Sequence, residues 1–269
     1  MTELMSEPIL LQRQGAVATL TLNRPDALNV LDESMVAGLL EHATAIANDA
    51  SVRAVVLRGA GSHFMAGGDI RMFAELRALP PAERSARFEA FIVPVHAALE
   101  LLVRLPQPVV ARVHGACAGF GMSLMAACDL AIASDDAYFT TAYRHIGLTP
   151  DGSGTWSLPR VVGPRKTMEL VLLSPRLDAQ EALRIGLVNR VVPAAELDAA
   201  VDSVANAIAS GPALALRNAK RLVRESLDRT LPEQLHAEAV SIAQCAGTND
   251  FVEGITAFLE KRSPRFSQD

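Results

Sequence analysis

The sequence predicts an α/β fold with a helical C-terminal region, and three observations carry that prediction. The 269 residues are half hydrophobic but only 4% aromatic, an aliphatic, alanine-rich composition that suits a packed α/β core rather than a disordered chain. Short β-branched runs alternate with helical stretches, and two of them share one plan: a valine-rich strand, a flexible loop, a glycine cluster and a short helix. From about residue 193 only helical patterns remain, which sets a boundary near residue 200. It separates a core over 1–200 from a helical region over 201–269.

Residues 9–12 and 16–22 read as paired strands around a turn at Gln14 and Gly15, ended by Asn23, Arg24 and Pro25. Asp32 is placed to cap a helix running to about Asn48, with Met35, Leu39, Leu40 and Ile46 at helical spacing. AVVL at 54–57 reads as a buried strand, followed by the glycine-rich GAGSHFMAGGDI, where Asp69 begins a helix to about Arg77. A long helix over 81–105, bent at Pro94, delivers the chain to a central segment, PVVARVHGACAGFGMSLMAACDLAIAS, at 108–134. There a strand breaks at Gly115, Gly119 and Gly121, a small-residue helix spans 122–128, and a further strand covers 130–133.

Beyond it, 137–140 is extended and 143–156 is a loop dense in turn formers. Helices are expected at 164–173 and 178–185, with a last strand at 188–192. The terminal helices, over 194–209, 212–228, 232–245 and 250–262, carry apolar stripes such as Leu235, Ala239, Ile242, Ile255, Phe258 and Leu259. These stripes cannot build a large core alone, so they pack on the main domain or on another subunit.

Bulk properties exclude several classes. The formal net charge of -5 argues against a general nucleic-acid binder. Cys117, Cys128 and Cys245 lack metal-ligand spacing, as do His63, His114 and His145, and an odd count suits no disulfide framework. No metal and no resident cofactor are expected. The N-terminal MTELMSEPILLQRQG has no long apolar stretch, so no signal peptide is expected, and no run of apolar residues is long enough to span a membrane. A cytoplasmic location is the default expectation. Gly119-Phe120-Gly121 lacks the rest of a dinucleotide fingerprint, and Ser123 has no nucleophile-elbow frame.

A glycine-rich loop feeding a helix presents free backbone N–H groups at the positive end of the helix dipole. It can cradle a phosphate or an oxyanion formed during a reaction. Two such loops could bring two N–H groups to one point.

Five blocks, SHFMAGGDI, HGACAGFGMSLMAACDLAIAS, IGLTPDGSGTWSLPRVVG, QEALRIGLVNRVV and AFLEKRSPRF, stand in an order and spacing that resembles the crotonase (enoyl-CoA hydratase/isomerase) superfamily over nearly the whole chain. The resemblance implies a spiral of ββα turns with a C-terminal helical trimerisation region, hence a homotrimer or a dimer of trimers. It implies an acyl-CoA thioester as substrate, with coenzyme A part of that substrate. It also implies an oxyanion hole made by the backbone N–H groups of Gly68 and Phe120. By the same match Arg24, Ala27, Ala66, Asp69 and Ile70 line the coenzyme A surface. Phe258 and Lys261 correspond to a contact often donated by a neighbouring subunit.

The two glutamates of the superfamily's hydratases are replaced here by Ser123 and Tyr143. Asp151 stands where several isomerases, including ring-modifying ones, carry an acid/base aspartate. The resemblance therefore implies an enoyl-CoA isomerase-type enzyme in which Asp151 shuttles a proton, in a pocket desolvated by Ile146, Leu148, Pro150 and Trp156. Two-glutamate hydration is disfavoured. Dehalogenase members of the superfamily place an aspartate nucleophile at the Asp151 position and a histidine base at the His96 position. Tyr143 and Val95 replace aromatic residues of that branch. An enoyl-CoA hydratase-like reaction, or an aspartate-nucleophile hydrolase or dehalogenase-like one, is thus one alternative, and a non-catalytic scaffold or RNA-binding member is another.

Overall fold

The computed structural model describes residues 7–267; residues 1–6, on which part of the N-terminal reading rests, lie outside the described residues. Strands β1 (Ile9–Gln14) and β2 (Val17–Leu22) form an antiparallel hairpin, and Gly15 takes the left-handed conformation its turn requires. Helix α1 (Glu33–Ala47) begins where Asp32 Oδ1 accepts the Met35 N–H at 2.9 Å, the expected cap. Strand β3 (Ala54–Gly59) then pairs parallel to β2. Helix α2 (Ile70–Glu75) is capped by Asp69, and α3 (Pro81–Arg104) runs through Pro94.

Strands β4 (Val109–Val113) and β5 (Ala116–Ala118) are followed by α4 (Phe120–Ala127) and β6 (Leu130–Ser134). Strand β7 (Tyr138–Thr140) leads into a 3-10 turn at Tyr143–Ile146. Helices α5 (Gly154–Val162) and α6 (Pro164–Leu173), strand β8 (Leu177–Asp178), helix α7 (Ala179–Arg184) and strand β9 (Arg190–Val192) complete the core. The last four helices are α8 (Leu197–Ala209), α9 (Ala213–Glu225), α10 (Leu231–Ala246) and α11 (Asn249–Leu259).

The strands make a six-stranded sheet in the order β1-β2-β3-β4-β6-β9 and a small one in the order β5-β7-β8. The continuous apolar run of β3 follows from burial on both faces. Val55 and Leu57 join the main core with Met35 and Leu39 of α1 and Leu99 of α3, whereas Ala54 and Val56 face Leu197, Val201 and Ala205 of α8. Burying such a leucine or valine contributes about 1.5–3 kcal/mol. Residue 200 therefore falls inside a helix that covers the main sheet.

The helices beyond α8 bury little of themselves: Asn218 in α9, Ser241 in α10 and Ala257 in α11 are their buried residues. Leu235, Ile242, Ile255, Phe258 and Leu259 of the apolar stripes are exposed. No single helix among the described residues is long and apolar enough to cross a membrane.

Three local expectations change. Helix α4 starts at Phe120, two residues earlier than expected, so the Phe120 N–H stands at the first helical position. Strand β5 occupies the glycine break. Helix α5 begins inside the stretch expected to be loop; Gly152, Gly154 and Pro159 hid it, and packing of Ser157 and Leu158 into the core stabilises it against their poor propensity.

Candidate active site

The two glycine-rich loops are sewn together by backbone bonds. Met65 N–H donates to Ala116 O at 3.0 Å and Ala118 N–H donates to Met65 O at 2.9 Å, a two-residue parallel bridge between the loop after β3 and strand β5. The side chains of Asn29 and His63 lock the same join. Asn29 Nδ2 donates to Ala60 O and His63 O at 2.9 and 2.8 Å, and Ala116 N–H donates to His63 Nδ1 at 3.1 Å. Asn29 is fully buried at φ +55, a backbone region where asparagine is enriched. It was missed in the sequence, where only its place just before the α1 cap could have marked it.

Gly68 sits between two further bonds, Leu31 N–H to Gly67 O at 2.8 Å and Asp69 N–H to Leu31 O at 3.0 Å. Its own N–H and that of Phe120 donate to no acceptor among the described residues. Both residues line one cavity of about 1440 Å³. The loops touch closely there: a β-carbon on Gly119 would stand 3.4 Å from Gly67 Cα, and one on Gly67 3.7 Å from Phe120 N. Gly119 (φ +55, ψ -124) takes a conformation closed to other residues, and it aims the first turn of α4 at the cavity.

Asp151 lines the same cavity from the loop before α5, its side chain 22% exposed. Tyr143 OH donates to Asp151 Oδ1 at 2.6 Å, and Ser123 Oγ of α4 lies 3.2 Å from that phenol oxygen. His96 of α3 approaches the other oxygen, Nε2 to Oδ2 3.8 Å, while Gly152 N–H donates to His96 Nε2 at 3.3 Å. Burial pushes the Asp151 carboxyl above the usual carboxylate range, against the opposing pull of the Tyr143 hydrogen bond. Burial, and then the neighbouring Asp151 charge, push the Tyr143 phenol far upward, so it stays a proton donor.

Ile146, Leu148 and Pro150 line this cavity. Trp156 does not: it is 38% exposed and lies beneath the Arg160 guanidinium, 3.8 Å from the ring centre. Phe120 takes its place beside Asp151, since a β-carbon on Gly152 would stand 2.5 Å from the Phe120 ring.

Ala66 and the exposed Ile70 line the cavity, and Ala27 is half-buried in a 3-10 turn before α1. Arg24 is engaged within the loops, donating to Val30 O at 2.7 Å and pairing with Asp32 at 3.1 Å and Asp69 at 3.4 Å. Asp69 thus caps α2 and ties it to the first loop. Phe258, 81% exposed, and Lys261, also exposed, do not line the cavity of their own chain. No group of three or more His, Cys, Asp or Glu among the described residues is arranged to hold a metal.

The arrangement places two free N–H donors and one partly desolvated carboxylate on one apolar-walled cavity. That combination can stabilise a developing oxyanion while a proton is moved nearby. Comparison with known proteins agrees on the ancestry. Residues 12–269 match the family described as Enoyl-CoA hydratase/isomerase. The chain is 34% identical to the crotonyl-CoA hydratase of Syntrophomonas wolfei, over 97% of this chain and 98% of that protein. It is 35% identical to the 1,2-epoxyphenylacetyl-CoA isomerase of Escherichia coli, over 98% and 99% respectively. The crystal structure of an enoyl-CoA hydratase from Polaromonas sp. superposes with a TM-score of 0.89 at 33% identity, covering 96% of this chain and 99% of that one.

Proposed function

The chain belongs to the enoyl-CoA hydratase/isomerase family, and within it we propose an isomerase of acyl-CoA thioesters in which Asp151 carries the proton. One observation supports this reading above the others: the free N–H groups of Gly68 and Phe120 share their cavity with Asp151, and Ser123 and Tyr143, which the sequence resemblance sets at the hydratase glutamate positions, meet beside it at 3.2 Å. In the proposed reaction the thioester oxygen accepts from both N–H groups. Asp151 takes a proton from one carbon as its C–H pair delocalises into an enolate. It then returns the proton to a different carbon, and the double bond has moved. Fixed donors favour this step because the charge they meet develops only in the transition state.

The raised affinity of Asp151 for a proton suits a group that must both take and give one. The test is a panel of 2-enoyl-, 3-enoyl- and ring-bearing acyl-CoAs, assayed in deuterated water. Asp151→Asn should lower kcat by about 10²–10⁴-fold with the fold intact. Unchanged turnover in the folded variant would remove Asp151 from the chemistry.

The approach of His96 to Asp151 Oδ2 supports a second reading, aspartyl nucleophilic catalysis with His96 as base. Single turnover of an aroyl-CoA in oxygen-18 water separates them. Label in Asp151 supports the nucleophile, whereas solvent deuterium in the acyl group supports the shuttle. The exposed apolar faces of α9, α10 and α11 support assembly into a homotrimer or dimer of trimers. In that assembly Phe258 and Lys261 would serve a neighbour's coenzyme A. Sedimentation velocity should then give three or six copies of the 28.6 kDa chain.

A further inference from the structure

We propose that Ser123, acting through Tyr143, fixes which oxygen of Asp151 takes and releases the proton. The inference rests on Asp151 being the proton carrier and assigns Ser123 as a positioning residue. Its basis is proton counting along the contacts. Tyr143 has one hydroxyl hydrogen, and it is committed to Asp151 Oδ1 at 2.6 Å. The 3.2 Å contact between Ser123 and Tyr143 must then be made by the Ser123 hydrogen, so the donors run in one direction, from serine to tyrosine to aspartate.

Such a chain is cooperative, because a phenol that accepts a hydrogen bond donates a stronger one. With Oδ1 occupied, Oδ2 is left as the proton-accepting oxygen. It cannot take a hydrogen from His96 Nε2 while that nitrogen accepts the Gly152 N–H. The brace is also built into the packing. Ser123 is 2% exposed. A β-carbon on Gly154 would stand 2.7 Å from Ser123 Oγ, and one on Gly152 3.4 Å from Ser123 Cβ. The loop that carries Asp151 therefore closes directly over a small hydroxyl side chain.

The groups facing Asp151 are few. The 3-10 turn supplies Tyr143, α3 supplies His96 and α4 supplies the neutral Ser123, while Arg160 of α5 is turned away onto Trp156 and Asp228. The hydrogen bond from Tyr143 pulls the Asp151 carboxyl downward, so weakening it must move the carboxyl upward.

The test uses the full chain with carbon-13-labelled aspartate carboxyls, assigning Asp151 by the resonance lost in Asp151→Asn. Tyr143→Phe, which keeps the ring, should raise the Asp151 midpoint by about 1–2 pH units. Ser123→Ala should raise it by about half a unit, and the acid limb of kcat should follow both. A serine that only fills space would cost thermal stability without moving either readout. An unchanged midpoint in Ser123→Ala overturns the proposal; if that variant does not fold, an unchanged midpoint in Tyr143→Phe does so. Because the titration needs no turnover, the two readings fail separately. If Asp151→Asn is inactive and the midpoints stay fixed, the brace falls and the proton carrier stands. If Asp151→Asn is fully active, the proton carrier falls and the proposal falls with it.

Discussion

Removing the Asp129 carboxylate should detach α9 from the core, and its cost can be worked from the contacts. Asp129 Oδ2 lies 2.7 Å from Lys220 Nζ and accepts the Val109 N–H at 2.8 Å; Oδ1 accepts from Arg224 Nη2 at 2.7 Å and Nε at 3.0 Å. The side chains of Lys220, Asp129 and Arg224 are only 8%, 15% and 20% exposed. Burial pushes the Lys220 ammonium below its usual range, and the Asp129 charge opposes that shift. In Asp129→Ala two largely buried cations lose their counter-charge, although Lys220 keeps Gln107 O at 2.9 Å and Arg224 keeps Ala127 O at 2.6 Å.

Breaking one partner of such a buried pair costs about 3–5 kcal/mol, which for a chain of this length lowers Tm by about 5–10 °C. Thermal and urea melts at two protein concentrations separate this intrinsic loss from any effect on assembly. Adding Lys220→Met to Asp129→Ala should recover part of the loss, since one stranded charge is gone. A midpoint within about 0.5 kcal/mol of wild type would refute the reasoning, because the ion pairs would then be solvated rather than buried.

Other predictions follow from the site. Gly119→Ala, forced into a conformation closed to alanine, should misplace both N–H donors and lower kcat by about 10²–10³-fold with a smaller change in KM. Asp151→Asn should stabilise the fold at pH 7 relative to wild type. The folded-state affinity of Asp151 for its proton is raised, so its stability contribution is present below about pH 3.9 and is lost as pH rises through the folded value. Urea melts at pH 7 and near pH 3 should show that difference at the higher pH alone. On the proposal that Lys261 serves a neighbour's coenzyme A, Lys261→Ala should raise KM for a coenzyme A thioester at unchanged kcat, and should leave a truncated thioester lacking the nucleotide unaffected.

Much of the fold could be read from particular residues. Asp32 and Asp69 marked helix starts because an N-cap needs only its own side chain and the next few N–H groups. The AVVL strand was visible for the same local reason: burial on both faces leaves no polar position. Helix α5 was not visible, since Gly154 and Pro159 disfavour a helix locally and only packing of Ser157 and Leu158 stabilises it. The change of pattern near residue 200 was visible, but not that α8 covers the main sheet.

The sequence by itself determined the α/β class, the paired glycine-rich loops and the family to which the chain belongs. Each of these is carried by residue types at fixed spacing, which survive without any knowledge of distant contacts. Tertiary structure alone decided how the site is held. Asn29 and His63 sew loops that are far apart in sequence, Trp156 turns away to stack with Arg160, and Ser123 meets Tyr143 across 20 residues. In the sequence Ser123 registers only as a missing carboxylate. Its hydroxyl acquires a role once the loop carrying Asp151 folds down over it, because a hydrogen bond exists only where two polar atoms are brought within reach.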